Sequence, residues 1–486
     1  MHFMHIHALD LVIVIAYLLG VTALGVYFRR GQSDVRDYFL GGRSAPWWAI
    51  AFSIVATETS TLTIIGTPAI AYAGNLTFLQ LVFGYLIGRI LIVLLLLPGY
   101  FRGEFFTAYA LIEKRFGPQM RALAASTFLI TRALAEGVRV AAIALVVSVV
   151  LGTSVKLAVF LVIALTIVYT FEGGMKAVIW TDVAQFLLYL AGSAITFFFL
   201  LQRIPGGWNE VAQVAAANGN KLQLLDFSLN LATKYTFWSG LIGGAFLTMA
   251  SHGTDQTIVQ RLLAARSEGD SRTALIASGM IVLVQFALFL MVGVLLFVFA
   301  QHSPLLSAGQ RTDAVLPLFL VREMPSGLAG ILLASILAVA MSNASGALNS
   351  LAASTVLDFS QLSGHQANPD KFLKLSRRIT LVWGSVLIGF GLVSWGPLLE
   401  AGLTVASLPF GSLLGLFLLG TLDKRATGVG AAIGMFVGLG VILSIWGFTG
   451  VAFTWYVVIG SAVTFLAGGL MSRVLPNSAH APEHSA

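Results

Sequence analysis

Five ionisable side chains stand deep inside apolar stretches of this 486-residue sequence: Glu58, Arg89, Arg132, Glu136 and Arg139. A charge in a bilayer core costs roughly 2.5–3.5 kcal/mol on insertion scales, so such residues mark sites or internal ion pairs. At about 100° per residue, Arg132, Glu136 and Arg139 share a narrow arc of one helix. That arc either lines a wet cavity or forms an ion-pair ladder between helices. Three guanidiniums against two carboxylates leave one positive charge to balance. Asp182 is one candidate counter-charge. The other is an anionic solute, most simply a carboxylate gripped by Arg139, with Arg132 paired to Glu136 four residues on.

Glu58 sits in Ala56-Thr57-Glu58-Thr59-Ser60-Thr61, a polar, β-branched run inside an apolar segment. Such a run is a poor continuous helix, and a broken helix is tolerated in lipid where its freed backbone lines a cavity. Free carbonyls at a break are good ligands for a hard cation such as sodium. Further along, Ser335, Ser342, Ser345 and Asn349 share one helical arc with Ala338 and Gly346 nearby. That stripe fits close helix packing or an alkali-cation site. A membrane enzyme would need a nucleophile–base pair, paired carboxylates or a metal cluster. His252 and Asp255 come nearest, and no nucleophile accompanies them.

The elements that must hold these residues follow from composition. The chain is 57% hydrophobic and 10% charged, against roughly 25% charged in a soluble domain. It is therefore an all-α, multi-pass protein of the lipid bilayer. Its excess of positive charge, +7, belongs to cytoplasmic loops and not to nucleic-acid binding. Cysteine is absent, which excludes disulfides and thiolate chemistry. No cleavable signal peptide is evident, and His2, His5 and His7 read as incidental terminal residues. Thirteen spans are expected, at 8–28, 45–72, 76–101, 122–150, 153–171, 177–201, 237–258, 274–300, 327–355, 377–395, 397–420, 427–447 and 452–471. With the N-terminus outside, nineteen basic residues fall in inside loops and six in outside loops. This supports an outside N-terminus and a cytoplasmic C-terminus. A second break is expected at Ser239-Gly240 and Gly243-Gly244. The stretch Asp313 to Glu323 reads as an amphipathic helix on the membrane face.

Several motifs resemble the sodium:solute symporter family. They are Asp37-Tyr38-Phe39-Leu40-Gly41-Gly42-Arg43 with Trp47-Trp48, Glu113-Lys114-Arg115-Phe116, and Gly173-Gly174-Met175-Lys176-Ala177-Val178-Ile179-Trp180-Thr181-Asp182. Thr254-Asp255-Gln256 with Val259-Gln260-Arg261 follows, then Met341-Ser342-Asn343 to Asn349-Ser350 and Asp358. The resemblance implies a LeuT-type fold of two inverted five-helix repeats with peripheral helices. The divisions are then 1–44, a first repeat at 45–201, an outer loop at 202–236, a second repeat at 237–420, peripheral helices at 421–476 and a tail at 477–486.

The resemblance further implies sodium-coupled symport of a small solute by alternating access at the plasma membrane. A principal sodium site would use the carbonyls of Ala56, Thr59 and Val339 and the Ser342 hydroxyl, with Asn343 where a hydroxyl is common. Asp182 and Ser345 match a second sodium site, although Gly346 stands where another hydroxyl is expected. The solute would meet Glu58, Ser60, Thr63, Phe78, Gln80, Arg139, Thr248 and Ser251. The Thr63-Ile64-Ile65-Gly66-Thr67-Pro68 stretch with Tyr72 is closer to the anion and vitamin branch, which favours a carboxylate, sugar acid or vitamin. Proton coupling through Glu58 or Asp182, or a channel or sensor on this fold, are the alternatives.

Overall fold

The computed structural model describes residues 7–27, 35–102, 105–151, 153–307, 310, 312–360, 369–393 and 398–475. His2, His5 and the 477–486 tail lie outside the described residues. Among the described residues the chain is helical, with no β-strand. The described residues of the thirteen apolar segments are mostly helical. Six helices are long and apolar enough to cross a membrane alone: Gly174–Arg203, Glu268–His302, Leu328–Phe359, Val405–Leu422, Gly428–Phe448 and Phe453–Val474. A seventh span is the bent pair Trp47–Glu58 and Thr61–Ala73. The run Val155–Arg203 turns at Gly174, whose φ of 54° is open to glycine, so two expected spans separate there.

The helix Leu328–Ser360 is buried almost all round, among Ala338, Ser342, Ala344, Ser345 and Ala347. Its small side chains let neighbours approach closely, the usual basis of helix association in lipid. Trp47–Glu58, Pro118–Leu151, Val155–Arg203 and Pro369–Gly391 all pack on it. The polar stripe of this helix therefore meets both the break in the second span and the Arg132–Arg139 arc.

Two expectations change. Ser239–Gly243 is a π-helical turn running into the helix Gly244–Gly253, with helical angles at Gly243 and Gly244. Gly240 and Gly244 serve close packing against Leu79–Leu95, and Gly243 against Thr454. The break lies further on, at Thr254 and Asp255, where Asp255 caps the next helix Gln256–Leu263 by accepting from the Thr257 N–H at 2.7 Å. The amphipathic stretch forms the helix Val315–Glu323, but its apolar side faces protein. Phe319 packs edge-on to Phe299 and Phe199, which withdraws it from the membrane face. Two arginines counted in inside loops, Arg121 and Arg261, are buried against Asp358 and Asp182. That trims the basic excess without reversing it.

The helix contact at Gly84 is backbone against backbone. A Cβ there would stand 2.3 Å from the Gly240 carbonyl oxygen and 2.7 Å from that of Leu241. Gly84→Ala should therefore cost about 1–3 kcal/mol and lower the melting temperature in detergent. Gly440→Ala, where a Cβ meets nothing within 4 Å, is the matched control and should melt like the unaltered protein. Equal melting of the two variants would contradict the contact.

Candidate functional site

The half-helices Trp47–Glu58 and Thr61–Ala73 meet at 67°. Thr59 and Ser60 between them are extended, with ψ of 116° and 165°. Extended residues cannot continue the helical hydrogen bonds, so carbonyls at the end of the first half are released. The second half opens on a capping box. Ser60 Oγ accepts from the Thr63 N–H at 3.2 Å, and Thr63 Oγ1 accepts from the Ser60 N–H at 3.1 Å. The break is held from two other helices. Gln285 Nε2 donates to Thr59 Oγ1 at 2.7 Å, and the Tyr189 hydroxyl donates to the same oxygen at 3.3 Å.

Asn343 lies across the break. Its Nδ2 donates to the Thr59 carbonyl at 2.5 Å and to the Val339 carbonyl at 3.0 Å. Two carbonyls expected around the principal sodium therefore converge on one point. Ala56, the third, is buried in the last turn of the first half-helix. Asn343 Oδ1 accepts from Arg139 Nη1 at 3.2 Å. The Ser342 hydroxyl donates to Asp182 Oδ1 at 2.7 Å, which leaves its lone pairs available. Carbonyls, a hydroxyl and an amide oxygen are the donor set a hard monovalent cation takes.

Asp182 is fully buried, in the interior of its helix. Its Oδ2 accepts from Ser53 Oγ at 2.5 Å and from Arg261 Nη2 at 2.9 Å. Arg261 also donates from Nε to Ser53 Oγ at 2.8 Å and from Nη1 to the Thr257 carbonyl at 2.7 Å. The guanidinium rests on Gly346, where a Cβ would come within 2.7 Å of Nη2. Ser345 turns its hydroxyl to the Ser342 carbonyl at 2.9 Å. The locus expected for a second sodium is thus built around a permanent side-chain cation.

A cavity of about 160 Å³ opens beside the break. Glu58, Arg139, Thr248 and Ser251 line it, together with Arg132, His252 and Asp255. Ser60 borders a smaller neighbouring cavity with Glu136, Arg139 and Asn343. Thr63 is engaged in the capping box. Phe78 and Gln80 do not reach the cavity. Phe78 stacks on Phe286 with centroids 5.5 Å apart, and Gln80 ties the outer loop through the Tyr235 carbonyl at 3.2 Å and the Asp226 N–H at 3.0 Å.

The charges around the cavity pair differently from expectation. Glu58 takes a hydrogen bond from Arg89 and lies 3.3 Å from His252 Nε2. Ser251 Oγ and His252 Nδ1 are 2.8 Å apart. Glu136 is hydrogen-bonded by Arg139 at 3.2 Å, not by Arg132. Arg132 keeps only longer ion pairs, 3.6 Å to Glu136 and 3.9 Å to Asp255. Its Nε and Nη2 are buried without a hydrogen-bond partner. Asp255 supplies a third carboxylate, so the count of charges alone no longer requires an anion.

Sequence reasoning missed Arg261, Ser53, Gln285 and Tyr189 as parts of the site. Arg261 lies in one of the family motifs, at the inner end of a span, where its position reads as a loop. Its sequence signal is the pairing of a buried Asp182 with a cation that the apolar helix could not otherwise accommodate.

A broken helix, converging carbonyls and a polar cavity beside them define an ion-coupled secondary transporter, not an enzyme. The chain belongs to the sodium:solute symporter family, whose sequence profile matches residues 38–438, and is a sodium-coupled symporter of LeuT-type fold. It is 31% identical to the sodium/sialic acid symporter SiaT of Proteus mirabilis, over 94% of this chain and 93% of that one. It is 30% identical to the human sodium/iodide cotransporter, over 95% of this chain and 71% of that one. A solved Na+-coupled sialic acid symporter, substrate-bound and outward-open, superposes with a TM-score of 0.90 at 29% identity, covering 96% of this chain and 98% of that one. The nucleobase-cation-symport transporter Mhp1 shares the fold alone, with a TM-score of 0.57 at 14% identity over 90% of this chain and 95% of that one.

Arg89 is fully buried and satisfies Glu58 across two helices. Arg89→Gln should therefore lower stability by about 3–5 kcal/mol, because it strands a carboxylate in the interior. Adding Glu58→Gln should restore most of the loss. Thermal melting of the single and double variants checks this, and a double variant no more stable than Arg89→Gln would refute the pairing.

Proposed function

We propose that the protein imports a small carboxylate with one sodium ion per cycle, by alternating access. The observation that carries the substrate class is the unpartnered edge of Arg132. Nε–H and Nη2–H lie on the same side of a guanidinium, the side that grips a carboxylate with two parallel hydrogen bonds. Both are buried without a hydrogen-bond acceptor, and Arg132 is one of the residues around the solute cavity. Leaving such donors unpaired is costly, so a ligand that satisfies them gains affinity and specificity together. Sialic acid, iodide and monocarboxylates, solutes named for several relatives, are anions, while two other relatives are named as multivitamin transporters. Thr248, Ser251 and Glu58 supply hydrogen bonds for the rest of the solute, and Arg139 stands where this cavity meets the smaller one.

The sodium is held by the carbonyls of Ala56, Thr59 and Val339, the Ser342 hydroxyl and the Asn343 oxygen. A second sodium at Asp182 and Ser345 is disfavoured, because Arg261 sits 2.9 Å from that carboxylate. An arginine does not deprotonate in a protein, so the local charge is already balanced. The chain crosses the plasma membrane thirteen times, with its N-terminus outside and its C-terminus in the cytoplasm, as the distribution of basic residues favours.

Uptake into proteoliposomes tests this, with lactate, N-acetylneuraminate and their neutral amides under a sodium or a proton gradient. A sodium gradient should drive uptake of at least one acid and not of its amide. Arg132→Gln should weaken that acid's binding by about tenfold or more, as loss of a charge-assisted bidentate contact requires. Coupling of one sodium to one monoanion makes the cycle electroneutral, so an imposed inside-negative potential should not accelerate it. Uptake driven equally well for the amide, or accelerated by the potential, would refute the carboxylate or the single ion respectively.

A further inference from the structure

We infer that the Asn343 side-chain amide is a two-position switch that couples sodium binding to the solute cavity through Arg139. This rests on the sodium-coupled reading above and deepens it.

In the structure the amide has a single workable orientation. One edge faces two acceptors, the carbonyls of Thr59 and Val339. The other edge faces a donor, Arg139 Nη1 at 3.2 Å. Nδ2 must therefore point at the carbonyls and Oδ1 at the guanidinium, since the reverse sets oxygen against oxygen and donor against donor. The amide nitrogen thus stands where those carbonyls would hold a cation.

A cation at the carbonyls reverses the preference. It repels the N–H₂ group and attracts the amide oxygen. A half-turn about χ2 exchanges the two atoms without moving the helix, because that torsion is soft and two-fold. The exchange then presents N–H₂ to Arg139, which loses an acceptor. Arg139 borders both the small cavity holding Asn343 and the larger solute cavity. Its remaining carboxylate partner is Glu136 at 3.2 Å. The released donor is satisfied by an anion in the solute cavity. Sodium therefore favours the anionic solute, and by linkage the solute favours sodium. A serine or threonine hydroxyl at this position could ligate the ion. Being too short to bridge to Arg139, it could not carry the second half of this exchange.

The test needs no solute. Sodium binding is titrated calorimetrically on the purified full-length protein in detergent, for the unaltered chain, Arg139→Gln, Asn343→Ser and the double variant. Arg139 holds the amide in the orientation that excludes the cation. Its removal should tighten sodium binding on the order of tenfold more when Asn343 is present than when serine replaces it, the size of one charge-assisted hydrogen bond. Arg139→Met, which keeps the apolar stem, repeats the comparison should the glutamine variant fold poorly. Equal effects of removing Arg139 in the two backgrounds would mean that only its charge matters, and would overturn the inference alone. No sodium binding by the unaltered chain would overturn the sodium-coupled reading and this inference with it.

Discussion

A helix broken inside a bilayer exposes carbonyls that no water can satisfy, and this constraint organises the centre of the protein. Each unsatisfied polar group in hydrocarbon costs several kcal/mol, on the order of what a whole helix contact supplies. The extended pair Thr59–Ser60 creates that cost within the span. Asn343 from a second helix, Gln285 from a third and Tyr189 from a fourth then converge on Thr59. The break is therefore fixed by parts far apart in sequence. It cannot straighten without leaving several of these groups unpaired at once.

The buried charges follow the same logic at higher cost. Arg89 ties Glu58 to a neighbouring helix, Arg261 ties Asp182, and Arg121 ties Asp358. Each pair joins elements distant in sequence, and each arginine also reaches a hydroxyl or a backbone carbonyl. Such pairs hold helices in register because separating them strands a charge. Arg132 differs in keeping only ion pairs beyond hydrogen-bond length. The proposed carboxylate solute is the partner such a guanidinium lacks.

The membrane class, the helical segments and the break near Glu58 were legible because each rests on local sequence: apolar length, charge, and a polar β-branched run. The convergence of Thr59 and Val339 on the stripe from Ser342 to Asn349 was also within reach, once the family motifs placed the two helices together. Pairings were not legible. Whether Arg132 or Arg139 bonds Glu136 depends on which carboxylates a third helix brings near, and Asp255 came from a break sited about a dozen residues beyond the glycines that suggested it. Those glycines do matter, but for approach to Gly84, Leu81 and Thr454 and not for bending. Phe78 and Gln80 failed as cavity residues because the outer loop, whose course no periodicity predicts, claims their side chains.

The two positions where this chain departs from the hydroxyl-rich pattern, Asn343 and Gly346, lie about one turn apart on the same helix and act on the same balance. Gly346 gives room for the Arg261 guanidinium, which neutralises Asp182. The proposed sodium site is thereby left with dipoles only: carbonyls, a hydroxyl and an amide. A dipole site binds a monovalent ion without a formal counter-charge, so its affinity depends strongly on how those dipoles are aimed. A half-turn of an amide aims either sign at the same point. Had Asp182 been free to offer a full negative charge, rotation of one amide would have been a small perturbation on a strong attraction. With that charge already matched by Arg261, the orientation of Asn343 weighs heavily on the attraction that remains. The contact between Asn343 and Arg139 thereby gains leverage over whether the ion binds.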